Sequence, residues 1–254
     1  MEPVTEPVLT GQVALVTGAA TGLGRRFAET LARHGAAVAV AGRRLDRLDE
    51  AADAIRSAGG TVLPVVLDVR DAAAIEATLD GVTDALGLPS ILVNNAGVPD
   101  ARRAHRMPLE LVDAVLETNL RGPWLLATSL AARLIAAERP GRIVNISSMS
   151  AFQYGGEGAT LYSVTKAAVN RMTEVLAVEW AAKGINVNAI APGAFASEMM
   201  DGMLERMGDI TAGYPRRRLG DPAMLDSTLL HLVSPASEYV TGTIIKVDDG
   251  QMPR

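Results

Sequence analysis

The sequence contains no cysteine and only three histidines among its 254 residues. Without thiols, disulfides, thiolate catalysis and cysteine-ligated metals are excluded. His34, His105 and His231 form no pair at helical spacing, so no histidine metal site is expected. A basic excess is also lacking. The net charge is −5, which leaves no global field to recruit nucleic acid. The local run Arg216-Arg217-Arg218 reads as a solvated face or a structural element. No apolar run approaches the roughly 20 residues of a membrane span. The first ten residues lack the basic start and apolar centre of a signal peptide. The expectation is a cytoplasmic protein without nucleic-acid or membrane partners, with residues 1–10 a flexible lead-in. With 48% hydrophobic and 21% charged residues the composition is globular, and no tandem repeat or low-complexity tract interrupts it.

What is present is an alternation of short apolar runs with longer helical patterns. The runs cover residues 13–17, 38–41, 62–67, 91–93, 142–146, 185–190 and 244–247. Helical patterns fill 25–34, 45–58, 72–86, 109–137 and 162–183, with Asp71 as a cap, Gly35 and Gly184 as stops, and Pro123 as a kink or break. Continuous apolar strands alternating with helices predict right-handed crossovers. The expected fold is α/β, a single doubly wound, Rossmann-like domain over 11–254. Its parallel sheet has about seven strands with helices on both faces. Ligands of such folds sit beyond the carboxyl ends of the strands.

After the first strand comes Thr17-Gly18-Ala19-Ala20-Thr21-Gly22-Leu23-Gly24. Glycine allows positive φ and close backbone approach. A helix start offers unpaired N–H groups and a positive dipole end, so a pyrophosphate fits without a metal or a lysine. The glycine spacing is neither the G-x-G-x-x-G fingerprint nor a P-loop.

Taken with Asp68-Val69, Asn94-Asn95-Ala96-Gly97, Asn119, Ser148, Tyr162-Ser163-Val164-Thr165-Lys166 and Pro192-Gly193, this turn resembles the short-chain dehydrogenase/reductase family, from about Leu9 to Gly250. The resemblance implies a nicotinamide cofactor, hydride transfer between an alcohol and a carbonyl compound, and a catalytic set of Asn119, Ser148, Tyr162 and Lys166. It implies that Gly18, Thr21, Gly22, Leu23 and Gly24 cradle the pyrophosphate. Asp68 would meet the adenine amino group, with Val69 behind the ring, although Asp68 could equally cap the next turn. Asn95, Ala96 and Gly97 would admit the cofactor, with Asn94 partly structural. Pro192 and Gly193 would lie near the carboxamide, with Ser197 where the family often has threonine.

The corner after the second strand reads Gly42-Arg43-Arg44, with no acidic residue. An acidic residue there commonly binds ribose hydroxyls, whereas an arginine accommodates a 2′-phosphate. Arg43 is the better phosphate partner, so NADP(H) is expected, with NAD(H) as the alternative. Thr21 argues the other way, because NADP-preferring relatives often carry a second basic residue there. Arg25 is a further, weaker phosphate contact.

Tyr162 and Lys166 are four apart, which places them on one helix face. A nearby ammonium and an oxidised nicotinamide would lower the phenol from its ordinary value near 10. Tyr162 could then exchange a proton with the substrate oxygen. Lys166 would also hold the nicotinamide ribose. Ser148 would polarise the substrate oxygen, while Ser147 would point elsewhere. By resemblance, Asn119 would hold a water that relays protons to Lys166.

Residues 195–215 form the expected substrate lid. Met199, Met203 and Met207 repeat every four residues, and Met200 joins the stripe. Methionine suits irregular apolar surfaces, which points to a hydrophobic ketone, although ordinary helix packing would look the same. Met149, Phe152, Gln153, Tyr154 and Phe195 are candidates to complete the pocket. The resemblance further implies a homotetramer or homodimer through the long helices. Two departures stand out: no glycine follows Ser148 closely, and Asp249 stands where the family usually shows glycine. The alternatives are an NAD-linked alcohol or sugar dehydrogenase, or a non-catalytic dinucleotide sensor on the same fold.

Overall fold

The computed structural model describes residues 8–154 and 158–251. Seven strands form one parallel sheet: β1 (Val13–Thr17), β2 (Ala37–Gly42), β3 (Val62–Val66), β4 (Ile91–Asn94), β5 (Gly141–Ile146), β6 (Ile185–Pro192) and β7 (Ile244–Val247). Their spatial order is β3-β2-β1-β4-β5-β6-β7. The order reverses between β1 and β4, where Leu15 pairs with Leu92. Loops leaving the two strands there diverge and open the crevice that binds ligands in this architecture.

The inner strands are buried on both faces, as their continuous apolar sequences require. Ala14, Val16, Val38, Val40, Ile91 and Val93 point to one side. There they meet α1 (Gly22–Arg33), α2 (Leu45–Ser57) and α8 (Asp226–Val233) through Phe27, Leu31, Leu48, Leu229 and Leu232. Val13, Leu15, Ala39, Ala41, Leu92 and Ile143 point to the other. That layer is covered by α3 (Ala72–Leu86), α5 (Gly122–Ala136) and α6 (Thr160–Trp180) through Leu79, Leu126, Leu130, Val169 and Leu176. Truncating one of these large side chains to alanine removes contacts that cannot re-form, at a typical cost of about 2–5 kcal/mol.

Several expectations are refined. Asp71 does cap α3, accepting from the N–H groups of Ala73 and Ala74. The pattern over 109–137 is two helices, α4 (Leu109–Leu116) and α5, joined by a π-helical turn at Glu117–Arg121. The break falls before Pro123 because proline lacks the N–H that Asn119 would need as its i+4 donor. The short helix α8 lies outside the expected helical patterns. Within the stretch 195–215 lies α7 (Glu198–Met207). Of the expected flexible lead-in, residues 1–7 lie outside the described residues. Leu9 is fully buried and donates its N–H to the His34 carbonyl at 2.9 Å, so the packed domain begins before residue 11. None of the described helices is long and apolar enough to cross a membrane.

Candidate active site

A cleft of about 1050 Å³ opens along the carboxyl ends of β1, β2, β4, β5 and β6. Its first wall is the turn from β1 into α1. Gly18 and Gly22 have φ of +63° and +57°, which favour glycine. A Cβ at Gly18 would lie 2.9 Å from both Ala96 Cα and Asn95 Nδ2, and one at Gly24 would overlap the Gly18 carbonyl oxygen. Backbone therefore packs where side chains would otherwise stand, and Gly18, Thr21, Gly22 and Leu23 line the cleft. Asn95 staples this turn: its side-chain amide donates to the Thr17 and Gly18 carbonyls at 3.0 and 3.1 Å. Asn94 has a different part. It donates to Asn145 Oδ1 at 2.9 Å, and Asn145 donates to Thr173, tying β4, β5 and α6 together.

At the end of β2, Arg43 and Arg44 both line the cleft and are exposed. Arg44 reaches across the mouth to Glu198 at 2.9 Å, and Thr21 donates to the same carboxylate oxygen at 3.1 Å. Arg43 forms no ion pair among the described residues. Asp68 and Val69 also line the cleft. Asp68 accepts the Arg70 N–H at 3.0 Å, and the Arg70 guanidinium beside it holds its carboxyl below the usual range. The turn-capping alternative and the cleft-lining position therefore coexist.

The opposite wall comes from β5, α6 and the π turn. Ser148 follows β5, and its Oγ accepts the Ser150 N–H at 3.1 Å, which leaves its hydroxyl hydrogen free to donate. Ser147 is buried, and its hydroxyl is spent on the Lys166 carbonyl at 3.3 Å. Lys166 is buried, donates to the Ile146 carbonyl at 2.7 Å and lies 5.5 Å from the centre of the Tyr162 ring. Burial pulls its ammonium from the ordinary 10.5 down to about 8. The expected lowering of the phenol involved the oxidised nicotinamide as well as the ammonium, and in the protein alone the balance runs the other way. Burial, the largest cause, and the Asp100 carboxylate push Tyr162 above its ordinary value, and only the hydrogen bond with Ser148 lowers it. Lys166 is engaged with the Ile146 carbonyl and is itself easily discharged, so in the protein alone it does not draw the phenol down.

Asn119 is fully buried, and both ends of its amide are engaged by Val98: Oδ1 accepts from the Val98 N–H at 2.8 Å and Nδ2 donates to the Val98 carbonyl at 2.9 Å. Nδ2 also donates to Thr165 Oγ1 at 3.3 Å, so the side chain is tied to the β4 loop and to α6. The backbone carbonyl of Asn119 is the group that Pro123 leaves without an α-helical donor. A Cβ at Gly97 would stand 3.5 Å from Asn119 Oδ1 and 3.7 Å from Lys166 Nζ, so the three positions meet.

The segment from Pro192 through α7 lines the remaining side. Ser197 caps α7, accepting the Met200 N–H at 3.2 Å, and its Cβ lies 3.4 Å from where a Cβ at Gly22 would stand. Pro192, Gly193 and all four methionines of the stripe line the cleft, as do Met149, Gln153 and Phe195.

A family model described as short chain dehydrogenase matches residues 12–207. The chain belongs to this family. Like other short-chain dehydrogenases, it is an NAD(P)-dependent oxidoreductase acting on CH–OH or carbonyl groups. The 3-oxoacyl-(acyl-carrier-protein) reductase of Thermotoga maritima is 35% identical over 243 residues, covering 95% of this chain and 98% of that one. A short-chain dehydrogenase/reductase from Mycobacterium marinum superposes with a TM-score of 0.93 at 35% identity, over 97% of each chain. A variant of actinorhodin polyketide ketoreductase with NADPH gives a TM-score of 0.90 at 32% identity, over 94% of this chain and 97% of that one.

Two expected pocket residues of this short-chain dehydrogenase do not line the cleft. Phe152 lies under the Lys246 ammonium, 4.2 Å from ring centre to nitrogen. Tyr154 pairs with Thr160 Oγ1 at 2.8 Å. The departure at Asp249 has a physical account. Its φ is +53°, a conformation that asparagine and aspartate tolerate best after glycine, and Arg216 and Arg218 hold its carboxylate at 3.2 and 2.8 Å. Two of the three clustered arginines therefore have a structural task. Sequence reasoning missed Gln251, whose side-chain carbonyl accepts the Ala194 N–H at 2.8 Å, and Asp100, which caps α6. Neither carries a local signal, because each acts on a segment some 60 positions away.

Proposed function

We propose that this protein is an NADP(H)-dependent reductase of a ketone with a hydrophobic body. The observation that carries the reading is the convergence of Ser148, Tyr162 and Lys166 on one wall of a cleft whose far end holds the Arg43 guanidinium, which forms no ion pair among the described residues. The glycine cradle, with its exposed N–H groups at the start of α1, fits a pyrophosphate. Arg43 fits a 2′-phosphate, whose oxygens a guanidinium can fork onto. The NADPH in the ketoreductase neighbour is in keeping with this. When bound, the nicotinamide supplies the hydride.

The protein's own groups handle the oxygen. Burial keeps Tyr162 protonated through the neutral range, so its O–H can donate to the carbonyl oxygen as the carbon gains its hydrogen. Ser148, fixed by the Ser150 N–H, donates a second hydrogen bond to the same oxygen. The Lys166 ammonium steadies the phenolate that remains. The backbone carbonyl of Asn119, deprived of its α-helical donor by Pro123, offers a station for the water that restores the proton. Met199, Met200, Met203 and Met207 provide an adaptable apolar lining for the substrate body.

Absorbance at 340 nm with NADPH, NADH and a panel of apolar ketones tests the reading. Arg43→Ala is expected to lower kcat/KM with NADPH by about 10–100-fold, the range of a charge-assisted phosphate contact, and to leave NADH within about threefold. Equal use of both cofactors by the unaltered protein would favour the NAD-linked dehydrogenase instead.

Our reading includes a homotetramer or homodimer. Leu109, Trp124, Val164 and Val178 are 67%, 44%, 57% and 80% exposed on α4, α5 and α6, more apolar surface than lone helices usually show to water. Light scattering should give a mass of two or four chains; a monomer at micromolar concentration would count against the assembly.

A further inference from the structure

The helix that presents Tyr162 and Lys166 lacks a cap of its own. Its N-cap residue is Ala159, which has no side-chain acceptor, yet the first N–H groups of any helix need partners. Asp100 supplies them from the loop after β4. Its Oδ2 accepts the Leu161 N–H at 2.7 Å and the Tyr162 N–H at 3.1 Å. A carboxylate at this end also opposes the positive helix dipole. Asp100 is 2% exposed, and its other oxygen, Oδ1, is buried without a hydrogen-bond partner. Arg102 and Arg103, close behind in the chain, form no ion pair with it among the described residues.

The loop that carries Asp100 touches each working part in turn. Asn95 holds the glycine turn, Val98 is clasped at both ends by Asn119, and Asp100 holds the start of α6. Arg102 continues the contact through a parallel bridge to Ala159. A single short loop thus connects the nucleotide cradle to the backbone of Tyr162. Three groups act on Tyr162: the Asp100 carboxylate, which accepts its backbone N–H at 3.1 Å, the Lys166 ammonium, 5.5 Å from its ring centre, and the Ser148 hydroxyl, which hydrogen-bonds the phenol.

We propose that Asp100 is a positioning residue: its carboxylate anchors the start of α6, couples that helix to the cofactor loop, and biases the site toward proton donation by Tyr162. The bias rests on the reading of Tyr162 as proton donor; the capping does not. A negative charge held at the backbone of Tyr162 opposes the phenolate that alcohol oxidation needs. No enzyme alters the overall equilibrium, so the consequence is a pH dependence. Oxidation requires higher pH than it would without Asp100, while reduction stays active through neutral pH.

The test compares Asp100→Asn and Asp100→Ala with the unaltered protein. Asparagine keeps an acceptor for the two N–H groups and removes the charge; alanine removes both. Without cofactor, Asp100→Ala should melt several degrees lower, since a lost cap costs about 1–2 kcal/mol, and Asp100→Asn should recover most of that. In Asp100→Asn, the pH midpoint of alcohol oxidation should fall by about half a pH unit or more, as removal of a nearby like charge predicts. Phenol titration followed at 295 nm, with the Tyr162→Phe spectrum in each background subtracted, should move the same way without any turnover. A folded Asp100→Asn protein whose phenol titration and oxidation profile superimpose on those of the unaltered protein overturns the proposed bias. Equal melting of Asp100→Ala and the unaltered protein overturns the anchoring. Failure of the underlying reading is distinguishable, because Tyr162→Phe would then keep its activity whatever residue 100 is.

Discussion

Replacing Tyr162 with phenylalanine is expected to reduce kcat for ketone reduction by about 10³-fold or more, within the usual 10²–10⁴ range for losing a positioned proton donor. The ring remains, so the packing of α6 and the shape of the cleft are preserved. The hydroxyl alone is removed, and with it the group that Ser148 faces and that Asp100 helps to keep protonated. Binding of NADPH, followed by its own fluorescence, should change by no more than about threefold, because the glycine turn and Arg43 are untouched. A fall in kcat with unchanged cofactor affinity is the signature of an interaction made in the transition state. Retention of a tenth or more of the activity would mean that the proton comes from elsewhere, and would leave Ser148 as the leading candidate.

The sequence discloses what is local or periodic and conceals what is assembled at long range. β1 and β7 were legible to the residue, since short apolar runs between turns have few other readings. The glycine turn was legible because positive φ leaves its mark on residue type at Gly18 and Gly22. The four-residue spacing of Tyr162 and Lys166 was legible because it puts both on one face of α6. Asp100 was not, as a carboxylate that caps a helix 61 positions onward looks like any loop aspartate. Asn119 was legible as a position but not as a set of contacts: its amide serves Val98, and the sequence clue to its backbone carbonyl lies in Pro123, four residues on. Phe152 and Tyr154 failed as pocket residues because the direction of a side chain in an irregular loop follows from neighbours such as Lys246 and Thr160, which no periodicity encodes. The upward push on Tyr162 in the protein alone was hidden for a related reason. Proximity of a lysine was visible in the spacing, but the desolvation of both groups at the cleft wall belongs to the folded molecule.

That burial gives the second large effect, at Lys166. An ammonium at 4% exposure with its affinity for protons reduced from 10.5 to about 8 costs the folded state about 3 kcal/mol at neutral pH, at roughly 1.4 kcal/mol per pH unit. Between pH 8 and 10.5 the unfolded chain binds more protons than the folded one, so this contribution improves stability as pH rises and is fully unfavourable below about 8. Lys166→Met keeps the length of the side chain and removes the charge. It also removes the hydrogen bond to the Ile146 carbonyl, typically worth about 1.5–3 kcal/mol when one partner is charged. The balance favours the variant by about 1 kcal/mol at pH 7, a rise in Tm of about 2–4 °C for a chain of this size. The difference should shrink and then reverse as pH approaches 10.5, where the native lysine is discharged in the folded state and half discharged in the unfolded one, so that the lost hydrogen bond dominates. Turnover should move in the opposite sense, falling about 10³-fold, with weaker cofactor binding as well if Lys166 holds the ribose. In the unaltered enzyme, reduction should decline above about pH 8 as the ammonium discharges. A variant that is less stable at pH 7 than at pH 10, relative to the unaltered protein, would show that the lysine is a structural asset. The opposite result makes Lys166 a destabilising group retained for the chemistry beside Tyr162.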